Sequence, residues 1–158
     1  RNFDVTSEDC ALVISSSGCN IVPIEMAEIF QQRKIKVVPL VTLAHATKST
    51  SKRPDGKKLV DFADLVLDTG APAGDAMVHI EGLDTPVAPG SSLGGILIIN
   101  CIKAEVARLL TRAGHPPKVL TAPAVVGEAR AAELFESAYD EHAHRLARLF
   151  EKIGKNSL

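Results

Sequence analysis

Cys10 to Asn20 reads CALVISSSGCN. Its first half, Cys10 to Ser15, is a short apolar run of strand-forming residues. Its second half, Ser15-Ser16-Ser17-Gly18-Cys19-Asn20, is a polar, glycine-bearing break. Beyond it, Ile21, Ile24, Met26, Ala27, Ile29 and Phe30 recur at roughly helical spacing as far as about Arg33. Strand, Ser/Gly loop and helix in that order predict a β-strand that hands the chain directly to a helix N-terminus.

Outward from this unit the pattern repeats. Lys36 to Thr42 (KVVPLVT) reads as a second buried strand, although Pro39 removes one ladder donor. Ala44 to Lys58 is polar and basic and reads as a loop, with one or two helical turns between Lys57 and Ala63. Leu65 to Asp68 is expected to be a third strand, ended by Thr69-Gly70-Ala71-Pro72, and Ala76 to Ile80 a fourth. Pro89-Gly90-Ser91-Ser92 opens a long helical stretch, about Leu93 to Arg112, stopped by Gly114 and Pro116-Pro117. Val119 to Thr121 is weakly strand-like. Glu128 to Ile153 is a second long helix; residues 129–158 form the C-terminal helix and tail, frayed from Gly154. Near-continuous apolar strands alternating with helices predict an α/β fold whose mostly parallel sheet has both faces covered.

The chain has 158 residues, one domain's worth of sequence. With 46% apolar and 23% charged residues it has globular composition, which excludes a largely disordered chain. Lys and Arg total 18 against 19 Asp and Glu, so there is no basic excess for gripping nucleic acid. The longest strongly apolar stretch, Ile96 to Ile102, is interrupted by Asn100 and is too short to cross a bilayer. Three well-separated cysteines, Cys10, Cys19 and Cys101, suggest neither a disulfide framework nor a metal site, and the expected compartment is a reducing cytoplasm. No metal or organic cofactor is implied.

In a parallel α/β sheet, ligands bind beyond the carboxyl ends of the strands. Three polar loops fall there. In the first, Ser15 and Ser17 offer hydroxyls, Asn20 an amide, and Gly18 lets the backbone come close to a ligand. The helix that follows adds partial positive charge, so the loop has the makings of an anion site. Helix capping is the plainer alternative, though it needs only one such residue. In the second loop, Thr42 closes a strand end and is followed by His45, Thr47 and Ser49. The third, Gly90-Ser91-Ser92, again starts a helix. The basic residues Lys48, Lys52, Arg53, Lys57 and Lys58 form either a solvated surface or a steering field for an anion.

Several of these stretches together resemble the SIS (sugar isomerase) domain family. Val13 to Asn20 (VISSSGCN) is similar to its phosphate loop, with Asn20 where Thr is usual. Lys36 to Thr42 resembles its next strand, and Leu59 to Leu67 (LVDFADLVL) its "LA..AD..L" segment, with Phe62 as a departure. Asn20 to Ala27, Gly74-Asp75-Ala76 and Pro89 to Ser92 resemble one bacterial subgroup of it. The resemblance implies a flavodoxin-like three-layer α/β/α sandwich that binds phosphosugars as a homodimer or homotetramer. Ser15, Ser17 and Asn20 would hold phosphate, with Thr42 and Ser91 or Ser92 completing the cradle. It also implies a further strand and helix ahead of the Ser loop, and these are expected to lie outside the sequence. The whole of 1–158 is then one phosphosugar-binding domain.

Moving a proton between adjacent sugar carbons needs a base and a polarising group, usually Glu and His. The candidates are Glu25, early in the first helix; His45, just after Thr42; and His142, in the last helix, which by the resemblance would reach a site of a neighbouring subunit. Each has a plainer reading as a solvated surface residue. The expected function is a sugar-phosphate isomerase. The alternative is a non-catalytic sugar-phosphate sensor. Dinucleotide binding fails because the loop lacks G-x-G-x-x-G.

Overall fold

The computed structural model describes residues 5–155, with residues 152–155 described only as helical backbone. The chain forms two compact units, Val5–Lys103 and residues 104–155.

In the first unit, strands β1 (Cys10–Ile14), β2 (Lys36–Val41) and β3 (Leu67–Asp68) form a parallel sheet in the order β1-β2-β3. Helix α1 (Ile21–Gln32) crosses from β1 to β2, so the predicted strand–loop–helix–strand unit is present. One face of the sheet carries the core: Val13, Val37 and Val41 pack with Ile24 and Ala27 of α1 and with Leu59 and Phe62 of a short 3-10 helix, Leu59–Phe62. On the other face Leu40 is buried, with Gly95 close by, whereas Leu12 and Ile14 of β1 are exposed. The class is α/β with a parallel sheet. The expectation that both faces are fully covered is not met at β1 within the described residues.

Pro39 sits fully buried in the central strand, opposite Val13. Residue 39 shares its backbone orientation with Val37 and Val41, whose carbonyls accept from Asp64 and Thr69 on the β3 side. The β2–β3 ladder begins only at Leu40, so the donor that proline lacks falls where no ladder has yet formed. Asp64 takes the ladder's place there. Its carboxylate accepts from the Val37 N–H at 2.8 Å and pairs with Lys36 at 3.0 Å.

Three expectations need correction. Residues 44–48, read as loop, belong to helix α2 (Leu43–Lys48), begun by the Thr42 carbonyl and by Asp68, which accepts from the Leu43 N–H. The fourth strand does not join the parallel sheet. It is β4 (Ala76–Val78), paired antiparallel with β5 (Val87–Pro89): residues 69–75 after β3 and residues 79–86 after β4 are each too few for a parallel crossover of about a dozen residues. Val119 to Thr121 forms no strand; helix α4 (Pro123–Val126) follows it. Helix α3 (Gly90–Arg112) runs on from β5, and α5 (Glu128–Lys155) is the longest element. The expected fraying from Gly154 lies largely outside the described residues. Among the described residues no helix is long and apolar enough to cross a membrane.

Candidate functional site at the carboxyl edge of the sheet

Each strand of the parallel sheet is followed directly by a hydroxyl residue: Ser15 after β1, Thr42 after β2 and Thr69 after β3. Parallel pairing brings these ends to one edge. The Thr42 and Thr69 hydroxyl oxygens are 2.6 Å apart, and the Ser16 hydroxyl lies 3.4 Å from Thr42. Thr42 is completely buried, while Ser15, Ser16, Ser17 and Thr69 are half-buried. The result is a row of three hydroxyls whose inner member is sealed and whose outer members reach the surface. Ser16 and Thr69 were not among the sequence candidates. The signal for Thr69 was its position directly after a strand, the same signal that singled out Thr42.

The Ser15–Asn20 loop is held by its carbonyls. The Ser15 oxygen accepts from Gly18 N–H, Ser16 from Thr42, Gly18 from Leu59 and Cys19 from Lys52. The Ser17 hydroxyl accepts from the Cys19 N–H at 3.3 Å. Among the described residues, the N–H groups of Ser17 and Asn20 have no protein acceptor. Asn20 stands at the N-cap of α1 without making a side-chain cap, and the first turn carries no acidic residue. The α1 amides are therefore left open, with the partial positive charge of the helix end. Asn20 instead accepts from the Lys52 ammonium at 2.8 Å, which adds a full positive charge beside that end.

Gly18 has φ +62°, and a Cβ there would meet the Leu59 and Val41 side chains at 3.4 and 3.5 Å. The demand for glycine thus comes from backbone conformation and the core below the loop. Arg53, three-quarters or more buried along its side chain, pairs with Glu28 at 2.8 Å and Asp55 at 3.1 Å and lies over the Phe62 ring. These pairs hold the basic segment against α1; the bond to Glu28 is the main reason the guanidinium is held above its usual pKa.

The remaining candidates are placed as follows. Glu25 is exposed on α1, in the electrostatic field of Arg53, and among the described residues no hydrogen bond joins it to the loop hydroxyls. His45 is half-buried in α2, and its Nδ1 accepts from the Gly74 N–H at 3.0 Å. This bond assigns the proton of the neutral ring to Nε2. Ser91 is committed: its N–H and hydroxyl both donate to the Asp75 carboxylate, at 2.7 and 2.6 Å. Asp75 (φ +73°) thereby caps α3 and sets a negative charge at that helix start. Ser92 is exposed in the first turn of α3.

His142 belongs to the second unit. There it lines an open cleft of about 700 Å³ with His115, Pro117, Lys118, Glu141 and Arg145. Glu141 bonds Lys118 at 3.4 Å and also Arg145, and the two cations hold its carboxyl below the usual range. Among the described residues no group of three or more His, Cys, Asp or Glu is arranged to hold a metal ion.

Fold and site together define an α/β protein with a hydroxyl-lined, positively biased sheet edge. No family profile matches the chain. It is similar to UPF0309 proteins of several bacteria. With the one from Halalkalibacterium halodurans it is 37% identical over 123 residues, 78% of this chain and 51% of that protein. With one from Listeria innocua it is 34% identical over 116 residues, 73% of this chain and 47% of that protein. The Brucella anthropi protein is 34% identical over 122 residues. The chain spans about half the length of the curated relatives it matches.

Proposed function

We propose that the carboxyl edge of β1–β2–β3 binds the phosphate of a phosphosugar, as part of a sugar-isomerase-type three-layer α/β/α sandwich. The observation that carries this reading is the convergence of the Ser15–Asn20 loop with its open α1 helix end, the linked hydroxyls of Ser16, Thr42 and Thr69, and the Lys52 ammonium on Asn20. Together they supply donors and positive charge suited to a dianion. Ser15, Ser17, Asn20 and Lys52 are its direct contacts in this reading; Thr42 braces them from below. Ser91 serves by holding Asp75 at the start of α3, and Ser92 remains free for a sugar hydroxyl.

The reaction proposed is aldose–ketose isomerisation by proton transfer, in a reducing cytoplasm and without metal or organic cofactor. His45, with its proton on Nε2, suits the acid that polarises a sugar oxygen. A second reading is a sensor that binds the sugar phosphate without turning it over; in favour of it, Glu25 makes no hydrogen bond to the loop hydroxyls among the described residues.

Thermal-shift titration with sugar phosphates and the matching free sugars tests the binding claim. Stabilisation restricted to the phosphate esters, and lost in Ser17→Ala, is the expected result. Equal response to esters and free sugars would remove the phosphate role. Turnover of a bound ester, lost in His45→Gln while binding persists, separates enzyme from sensor.

A further inference from the structure

Helix α5 carries charge of opposite sign in its two halves. Its first half holds Glu128, Glu133, Glu136, Asp140 and Glu141 against Arg130 alone; its second half holds Arg145 and Arg148 against Glu151, and Lys152 and Lys155 follow in sequence. The helix also carries an apolar stripe that nothing described covers. Phe135, Tyr139, Leu146 and Phe150 are 51%, 63%, 40% and 66% exposed, and the Phe135 and Tyr139 rings stack on one another with centroids 5.9 Å apart. The side turned inward is a different one: Ala131, Leu134, Ser137, Ala138, Glu141 and Leu149 are the less exposed positions.

The stripe is symmetric along the helix. Phe135 and Phe150 are equidistant from the midpoint between His142 and Ala143, and so are Tyr139 and Leu146. A second copy of α5 laid antiparallel about that midpoint sets Phe135 against the partner's Phe150 and Tyr139 against the partner's Leu146. The same operation lays each acidic half along a basic half, whereas a parallel pair would set like charges side by side. The stripe runs for about 22 Å at 1.5 Å per residue, and aromatic residues dominate it, as at the centres of protein interfaces.

We infer that α5 is a self-association surface. Two copies of this chain pair through antiparallel α5 helices, with the twofold axis passing beside His142 and Ala143. The contact is isologous, and it closes as a dimer.

Single cysteines test both the pairing and its direction. Exposed Cys10 and Cys101 are first changed to serine, and that parent, with Cys19 left buried, serves as the control. Ala143→Cys, beside the axis, should cross-link to a dimer with a short bis-maleimide, and Ala132→Cys, far from it, should not. Equal cross-linking at both positions would mean a parallel pair and overturn the inference, as would cross-linking at neither. Sedimentation should show a reversible dimer over a range of about 1 to 200 µM. Phe135→Glu with Phe150→Glu should sediment as a monomer with the helical circular dichroism retained. A parent chain that is monomeric throughout that range, or a double variant that remains dimeric, would refute the pairing. If the double variant fails to fold, the cysteine pair still decides.

Discussion

The hydroxyls of Thr42 and Thr69 lie 2.6 Å apart at the ends of adjacent parallel strands, and the Thr42 member has no exposure to water. A buried hydroxyl without a partner costs about 1–3 kcal/mol. Thr69→Val keeps the shape and removes the stronger of the two bonds, so it is expected to lower unfolding stability by that amount, while Thr69→Ser retains most of it. Urea midpoints at unchanged slope would show this. Equal stability in Thr69→Val would mean that Ser16, at 3.4 Å, satisfies Thr42 unaided.

Lys52 sets a positive charge beside the open end of α1, through its bond to Asn20. It is exposed, so its contribution to binding an anion is modest and screened by salt. Lys52→Ala is expected to weaken a phosphorylated ligand about two- to fivefold, corresponding to about 0.5–1 kcal/mol. It should leave the unphosphorylated sugar unaffected and flatten the salt dependence of binding. Isothermal titration at two ionic strengths measures all three effects.

The strand–loop–helix unit from Cys10 to Gln32 was legible because period and breaker residues agree there: an apolar run, a Ser/Gly break and a helical stripe. The loop Ser15–Asn20 was legible for the same reason. What escaped the sequence depends on partners distant along the chain. Lys52 reaches Asn20 across 32 positions and Asp75 takes Ser91 across 16, and nothing local signals either. Residues 44–48 read as loop because Thr47 and Ser49 suggest one, whereas the Thr42 carbonyl and Asp68 start a short helix. Ala76 to Ile80 has strand composition, but composition does not say which partner it takes, and the short connection to Val87 decides for an antiparallel one.

Asp64 makes stability depend on acid. The Val37 N–H, first, and the Lys36 ammonium hold its folded pKa below the ordinary 3.8. Its contribution is therefore present in full above the ordinary value and is lost as pH falls through the depressed folded value. In Asp64→Asn that part of the acid dependence disappears: the variant should be less stable than the parent at neutral pH, with the gap closing as pH falls below the ordinary 3.8 and through the depressed folded value. Unfolding curves collected from neutral to acid pH would reveal the convergence, and a gap independent of pH would assign the effect to the neutral hydrogen bond alone.

Gly94 and Gly95, adjacent in the first turns of α3, make opposite predictions. A Cβ at Gly94 would fall on the Thr69 carbonyl oxygen, a backbone atom that cannot move without shifting the end of β3. A Cβ at Gly95 would meet only the Leu40 Cδ2, at 3.8 Å, an ordinary contact. Neither glycine has a positive φ, so backbone conformation does not demand glycine at either site. Helix propensity alone favours alanine over glycine by about 0.5–1 kcal/mol at both positions. Gly95→Ala is expected to stabilise the chain by about that amount. Gly94→Ala is expected to destabilise it, because overpacking costs about 1–3 kcal/mol and here outweighs the gain in propensity. It should also disturb the Thr42–Thr69 bond, since Thr69 carries both the crowded carbonyl and the hydroxyl. A double-mutant cycle of Gly94→Ala with Thr69→Val measures that link. Coupling above about 0.5 kcal/mol is the expected outcome, and additive losses would show that α3 and the hydroxyl row are energetically independent.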